Sequence, residues 1–141
     1  MRTKLSLDWT ENMAFKTELN GHEIMIDADE KSGGNNLGPR PKPLMLLALA
    51  GCTGVDVISM LKKMRVDVDD FRVTTDANST EEPPKHYDEI VVQYEFWGKE
   101  LEKSRSKIEK AVRLSEEKYC GVSHIYKQVI DMRTEIKLHE A

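Results

Sequence analysis

The sequence predicts an α+β fold, a largely antiparallel sheet wrapped around one long apolar helix. Three observations carry that expectation. Apolar and polar residues alternate with period two in several short segments, an apolar stretch runs from Leu44 to Leu61, and apolar residues recur at helical spacing between Glu100 and Lys118. The implied order of strands, long helix, strands, helix and strand lacks the regular β–α alternation of a doubly wound sheet. Gly51-Cys52-Thr53-Gly54 matches neither the dinucleotide fingerprint nor a phosphate loop.

Leu5, Leu7 and Trp9 alternate with Lys4, Ser6 and Asp8, which predicts a first strand with one buried face. Met13, Phe15, Thr17 and Leu19 continue the pattern up to Asn20-Gly21, the dipeptide that tolerates positive φ at both centres of a type I′ turn, and Ile24 and Ile26 return as the next strand. Asp27 to Arg40 is polar and holds Gly33-Gly34-Asn35-Asn36, so a surface loop is expected. Pro39, Pro41 and Pro43 then cluster ahead of a helix from Leu44 to Met64, which finishes on Lys62, Lys63 and Arg65 where the dipole favours cations. A helix apolar on nearly all sides must be enclosed by sheet or by a second subunit.

Phe71 and Val73 predict a strand that is broken before Pro83-Pro84. The following strand sets Ile90, Val92, Tyr94 and Phe96 on one face, with Val91, Gln93, Glu95 and Trp97 on the other. Leu101, Ile108, Ala111, Val112 and Tyr119 mark an amphipathic helix, interrupted at Cys120-Gly121. A short helical turn from Val122 to Lys127 leads to a last strand bearing Ile130, Met132, Thr134, Ile136 and Leu138.

A chain of 141 residues is long enough for one core, and no linker or repeat divides it, so a single domain over 1–141 is expected. Hydrophobic residues at 39% exclude a disordered chain, and a net charge of −4 with both signs scattered offers no basic surface for nucleic acid. The N-terminal residues lack an apolar signal core, which predicts a cytoplasmic protein. Asp56 and Ser59 inside the Leu44–Leu61 stretch argue against a membrane span.

Two cysteines, 68 positions apart, are the residues best suited to chemistry. Cys52 lies among small residues that leave its sulfur open either to a ligand or to packed backbone, and a buried cysteine acting as a small hydrophobe is the plain alternative. Cys52, Asp56, Ser59 and Lys63 fall on one helical stripe, a polar seam that needs partners. A reactive thiolate requires a cation or a helix N-terminus. Cys52 lies too far along its helix for the dipole unless Gly51 breaks the helix there, and Asp56 opposes ionisation unless paired, so a cation from another segment or subunit is needed. Cys120 sits at the helix interruption, either near a helix start or packed beside a C-capping Gly121. Zinc held by Cys120, His124 and Cys52 is the rival reading, but a lone Cys/His pair lacks the paired spacing of structural sites; no metal is expected.

Pro41-Lys42-Pro43-Leu44-Met45-Leu46-Leu47-Ala48-Leu49-Ala50-Gly51-Cys52-Thr53 and Ser115-Glu116-Glu117-Lys118-Tyr119-Cys120-Gly121-Val122-Ser123 together resemble the OsmC/Ohr family of hydroperoxide reductases, with its YhfA-like branch as the candidate subgroup. The resemblance implies the OsmC-like fold and an intertwined homodimer. It also implies that Cys52 attacks a peroxide and becomes a sulfenic acid, that Cys120 condenses with it, and that a dithiol reductant restores both, with no cofactor. Hydroperoxide reductases of this family pair an early-strand Arg with a Glu in the proline-led segment. Here Lys42 stands at the Glu position and Met13 to Leu19 contains no Arg, so Lys42 or Arg40 is the expected source of the cation. The competing expectations are a non-catalytic dimer of the same fold that binds a small apolar or thiol ligand, and a structural dimer with inert cysteines.

Overall fold

The computed structural model describes residues 1–141. The chain forms two compact units, Met1–Met45 and Leu46–Ala141.

The first unit is a three-stranded antiparallel sheet of β1 (Asp8–Glu11), β2 (Ala14–Leu19) and β3 (His22–Ile26). The expected hairpin is present, with Asn20 and Gly21 at φ of 52° and 80° and Leu19 paired with His22. The first strand is shorter than its alternation suggests. Pairing begins only at Asp8, opposite Lys16, and Leu5 and Leu7 remain exposed. Alternation describes a face, but a strand exists only where a neighbour takes its hydrogen bonds. Upstream of Asp8 the chain's contact with β2 is a side-chain bond, from the Thr17 hydroxyl to the Ser6 carbonyl at 2.7 Å.

The polar segment after β3 is an ordered loop built on Asp27. Its Oδ1 accepts the Ala28 N–H at 2.7 Å, and its Oδ2 accepts the N–H groups of Asn35 and Leu37 at 3.1 Å each. Gly34 packs its α-carbon against the Ala28 carbonyl, where a Cβ has no room. Burial pushes the Asp27 carboxyl up, but those three N–H groups and the Arg40 charge outweigh it and hold the group below its ordinary value.

In the second unit, α1 (Leu44–Lys63, beginning at the end of the first unit) packs against a sheet ordered β4–β5–β6. β4 (Asp70–Ser79) is antiparallel to β5 (Tyr87–Gly98), while β6 (Asp131–Glu140) runs parallel to β5. The parallel pair modifies the expectation of an antiparallel sheet. Its cause is the helical crossover between β5 and β6, which returns the chain to the end where it started. Ile90, Val92, Tyr94 and Phe96 form the buried face of β5, as their alternation predicts, and meet Leu49, Val57 and Leu61 of α1.

The single chain encloses the helix on one side only. Only one i, i+4 stripe, Leu49, Thr53, Val57 and Leu61, is buried by the chain's own core. Leu47 and Val55 are about two-thirds exposed, at 66% and 68%. By length and composition alone, this helix also meets the test for a membrane-crossing segment.

The single helix expected over 100–118 is divided. A tight turn at Leu101–Ser104 leads into α2 (Arg105–Leu114), a wide π turn covers Ser115–Tyr119, and α3 (Gly121–Tyr126) follows. The π turn closes through the Cys120 N–H to the Ser115 carbonyl at 2.7 Å. Gly121 therefore opens α3 rather than capping the helix before it, which corrects the C-cap reading. Cys120 is the N-cap of α3, at φ −76° and ψ 103°.

Candidate thiol site

The two cysteines, far apart in the chain, meet in the second unit. Both are free thiols, and their side chains are hydrogen-bonded to each other. They are unequal. Cys120 is 2% exposed within the core, whereas Cys52 is half-buried at its edge. Burial pushes the Cys120 thiol up to about 11, and the bond to Cys52 acts in the same direction, while the Ser123 and Val122 N–H groups at the start of α3 oppose it. The Ser123 N–H lies 3.3 Å from the Cys120 sulfur. The expectation that a helix start would favour ionisation of Cys120 is thus half met: the N–H groups are in place, and burial outweighs them. Cys120 stays a thiol at neutral pH.

Beside the sulfurs runs a chain of hydroxyl groups that sequence reasoning did not identify. The Tyr94 hydroxyl donates to Glu116 Oε1 at 2.8 Å and lies 2.8 Å from Thr53 Oγ1. Thr53 Oγ1 lies 2.9 Å from Ser115 Oγ, and Ser115 donates to Asp56 Oδ2 at 2.9 Å. Thr134 closes the far end, donating to both oxygens of Glu116 at 2.8 and 2.7 Å. Thr53, Tyr94 and Ser115 are wholly buried, while Asp56 and Glu116 are half-buried. Burial first, then the Glu116 charge, raises the Tyr94 hydroxyl far above its ordinary value, so it keeps its proton. One signal was available: Tyr94 places a hydroxyl between Val92 and Phe96 on the buried strand face, and a buried phenol needs a partner. Ser115 and Glu116 carried none, because the π turn that aims them is not a periodic pattern.

A cavity of about 550 Å³ opens at the Asp56 end, lined by Asp56, Ser59 and Lys63 of α1 with Lys110, Leu114 and Tyr119. Three of the four seam residues read from the sequence thus share one space. Neither cysteine lines it; Asp56 lies one turn beyond Cys52 on α1.

Residues 33–135 match the family of OsmC-like proteins. The chain belongs to that family. This OsmC-like protein is 31% identical to protein YhfA of Escherichia coli K12 over 125 residues, covering 88% of this chain and 89% of YhfA. It superposes on a hypothetical protein from Aquifex aeolicus VF5 with a TM-score of 0.84 at 28% identity, covering 100% of this chain and 99% of the other. An organic hydroperoxide resistance protein OsmC from Legionella pneumophila shares the fold, with a TM-score of 0.66 at 14% identity and 97% of each chain covered.

The remaining candidates of the OsmC-like protein have definite positions. Arg40 is bound within the first unit, donating to the Gly38 carbonyl at 2.7 Å, the Asp27 carbonyl at 3.4 Å and Asn36 Oδ1 at 2.5 Å. Lys42 is half-buried in the turn before α1, where its carbonyl accepts the Met45 N–H at 3.0 Å. Asp56 has its partner in Ser115. No three His, Cys, Asp or Glu side chains are grouped as a metal site would require, and His124 is exposed while Cys120 is buried.

Proposed function

We propose that this protein is a thiol-dependent hydroperoxide reductase, with Cys52 as the attacking sulfur and Cys120 as the resolving one. The observation that carries the reading is the asymmetry of the bonded pair. Cys120 is buried, its thiol is pushed up to about 11, and it is hydrogen-bonded to the more open Cys52, which leaves Cys52 as the accessible sulfur and Cys120 as the protonated partner beside it. Attack by the Cys52 thiolate forms an S–O bond as the O–O bond breaks, oxidising the sulfur to a sulfenic acid. The Cys120 sulfur then displaces the hydroxyl, which leaves as water, and the resulting disulfide is reduced by an external dithiol. Such a cycle belongs in the reducing cytoplasm. Structural neighbours such as the Legionella protein are named for organic hydroperoxide resistance, a role that agrees with this reading.

The protein acts, in this reading, as a homodimer, because a single chain leaves the apolar face of α1 around Leu47 and Val55 open. Arg40, occupied in its own loop, is the weaker of the two expected cations. If Lys42→Ala leaves the reaction rate unchanged, Lys42 is not the activating cation.

Reduced protein mixed with an organic hydroperoxide should lose two thiols and yield a Cys52–Cys120 disulfide by mass. Cys52→Ser should abolish the loss, and Cys120→Ser should leave a trappable sulfenic acid. Unreacted thiols in the wild type would overturn the proposal. They would favour the second reading, a non-catalytic dimer that binds a small apolar or thiol ligand, for which the cavity away from both cysteines speaks.

A further inference from the structure

Protons along the hydroxyl chain are fewer than its contacts, a property of the site that does not depend on the thiols. The chain Asp56–Ser115–Thr53–Tyr94–Glu116 contains four oxygen–oxygen contacts, at 2.9, 2.9, 2.8 and 2.8 Å. A proton must lie in each, since two lone pairs facing each other at that distance in a buried site repel. Serine, threonine and tyrosine bring one proton apiece, three in all, and an ionised carboxylate brings none. With Ser115 donating to Asp56 and Tyr94 to Glu116, Thr53 can fill only one of its two contacts. One proton is missing.

We infer that Asp56 and Glu116 share a fourth proton through Ser115, Thr53 and Tyr94, so that one of the two carboxyls is neutral and the chain can reverse its direction to move the proton between them. When Asp56 holds it, every hydroxyl points toward Glu116; when Glu116 holds it, every hydroxyl points toward Asp56. Both arrangements satisfy all four contacts, and neither requires a heavy atom to move.

The charged and titratable groups around each end are few. Asp56 faces the cavity with Lys63 of its own helix, Lys110 of α2 and Tyr119 of the π turn, and Cys52 lies one turn earlier on α1. Glu116 meets Tyr94 of β5 and Thr134 of β6, and Tyr94 also senses Cys120. The ammonium groups of Lys63 and Lys110 draw negative charge toward Asp56. The chain therefore holds a mobile proton next to the thiol pair.

The role in turnover rests on the reductase reading. When the O–O bond breaks, the departing alkoxide needs one proton. The Asp56 end of the chain supplies it and is refilled from solvent through the cavity. Thr53 and Tyr94 act through Asp56 and are positioning residues.

The test has two independent arms. Infrared spectra of the wild-type protein near neutral pH should show a protonated-carboxyl stretch. Thr53→Val leaves two contacts and two hydroxyl protons, so the band should vanish and electrophoretic mobility should report one additional negative charge. Tyr94→Phe should do the same and serves as the second variant should Thr53→Val fail to fold. Glu116→Gln supplies the fourth proton from its amide and should leave the net charge unchanged. Absence of the band in the wild type, or a Thr53→Val protein with wild-type charge, overturns the inference.

The second arm measures peroxide-dependent thiol loss. Both variants should be slower by about tenfold or more, with part of the rate restored by added imidazolium buffer. Wild-type rates in both, or no restoration, overturn the role in turnover. A wild type that shows the band and consumes no peroxide refutes the reductase reading and leaves the shared proton standing.

Discussion

The two units each hold carboxylates in hydrogen-bonded sites, Asp27 buried and Asp56 and Glu116 half-buried, but they satisfy them in opposite ways. In the first, Asp27 faces three backbone N–H groups, donors whose direction is fixed by the loop. In the second, Asp56 and Glu116 face hydroxyl groups, each able to donate or accept. Backbone donors give an anchor with a single arrangement. Hydroxyl donors give a network that can be satisfied in either of two directions, the property that proton movement requires. The anchor shapes a loop; the network lies beside the thiols.

Substitution at Asp27 should break this contrast with the largest effect. Asp27→Ala leaves three N–H groups in the 27–40 loop without their acceptor, and hydrogen exchange there should lose its protection as the thermal midpoint falls. Acid should do the same more gently. The folded carboxyl lies below its ordinary value of 3.8, so its contribution is complete above that pH and is lost as the pH falls through the depressed value. Acid unfolding should therefore show early loosening of this loop, and Asp27→Asn should remove that pH dependence.

Ser115→Ala comes next. It removes the donor to Asp56 and should cost about 1–3 kcal/mol in denaturant unfolding. A smaller effect is expected at high pH from Cys120. Its thiol is raised from an ordinary 9.0 to about 11, so the unfolded chain ionises first, and stability should be intact below pH 9 and decline as the pH rises toward 11. Cys120→Ser should flatten that limb. Thr53→Val should change stability least, by about 1 kcal/mol or less, because both carboxylates retain a hydroxyl donor. If Thr53→Val instead destabilised the protein as much as Ser115→Ala, the network would be a rigid anchor like Asp27, and the contrast would fail.

The Asn20-Gly21 hairpin, the buried face of β5 and the extent of α1 were legible because each follows from a local rule of turn chemistry or periodicity. Residues 1–7 misled because alternation carries no information about whether a strand partner extends that far. The charge of Arg40 is visible in the sequence, while its bonds to Gly38 and Asn36 are not. The cysteine pair was legible through its two flanking segments, and Asp56 through its place on the stripe with Cys52.

By itself, then, the sequence determined the elements, the family and the two sulfurs, since those depend on short-range pattern. Only the tertiary structure decided that the sulfurs differ in burial, that β6 runs parallel to β5, and that Thr53, Tyr94 and Ser115 join two carboxylates into one chain. Those features arise from contacts across 41 and 62 positions, and from a π turn that no local periodicity announces. Burial and hydrogen-bond partnership are properties of neighbours in space, and the fold alone assigns them.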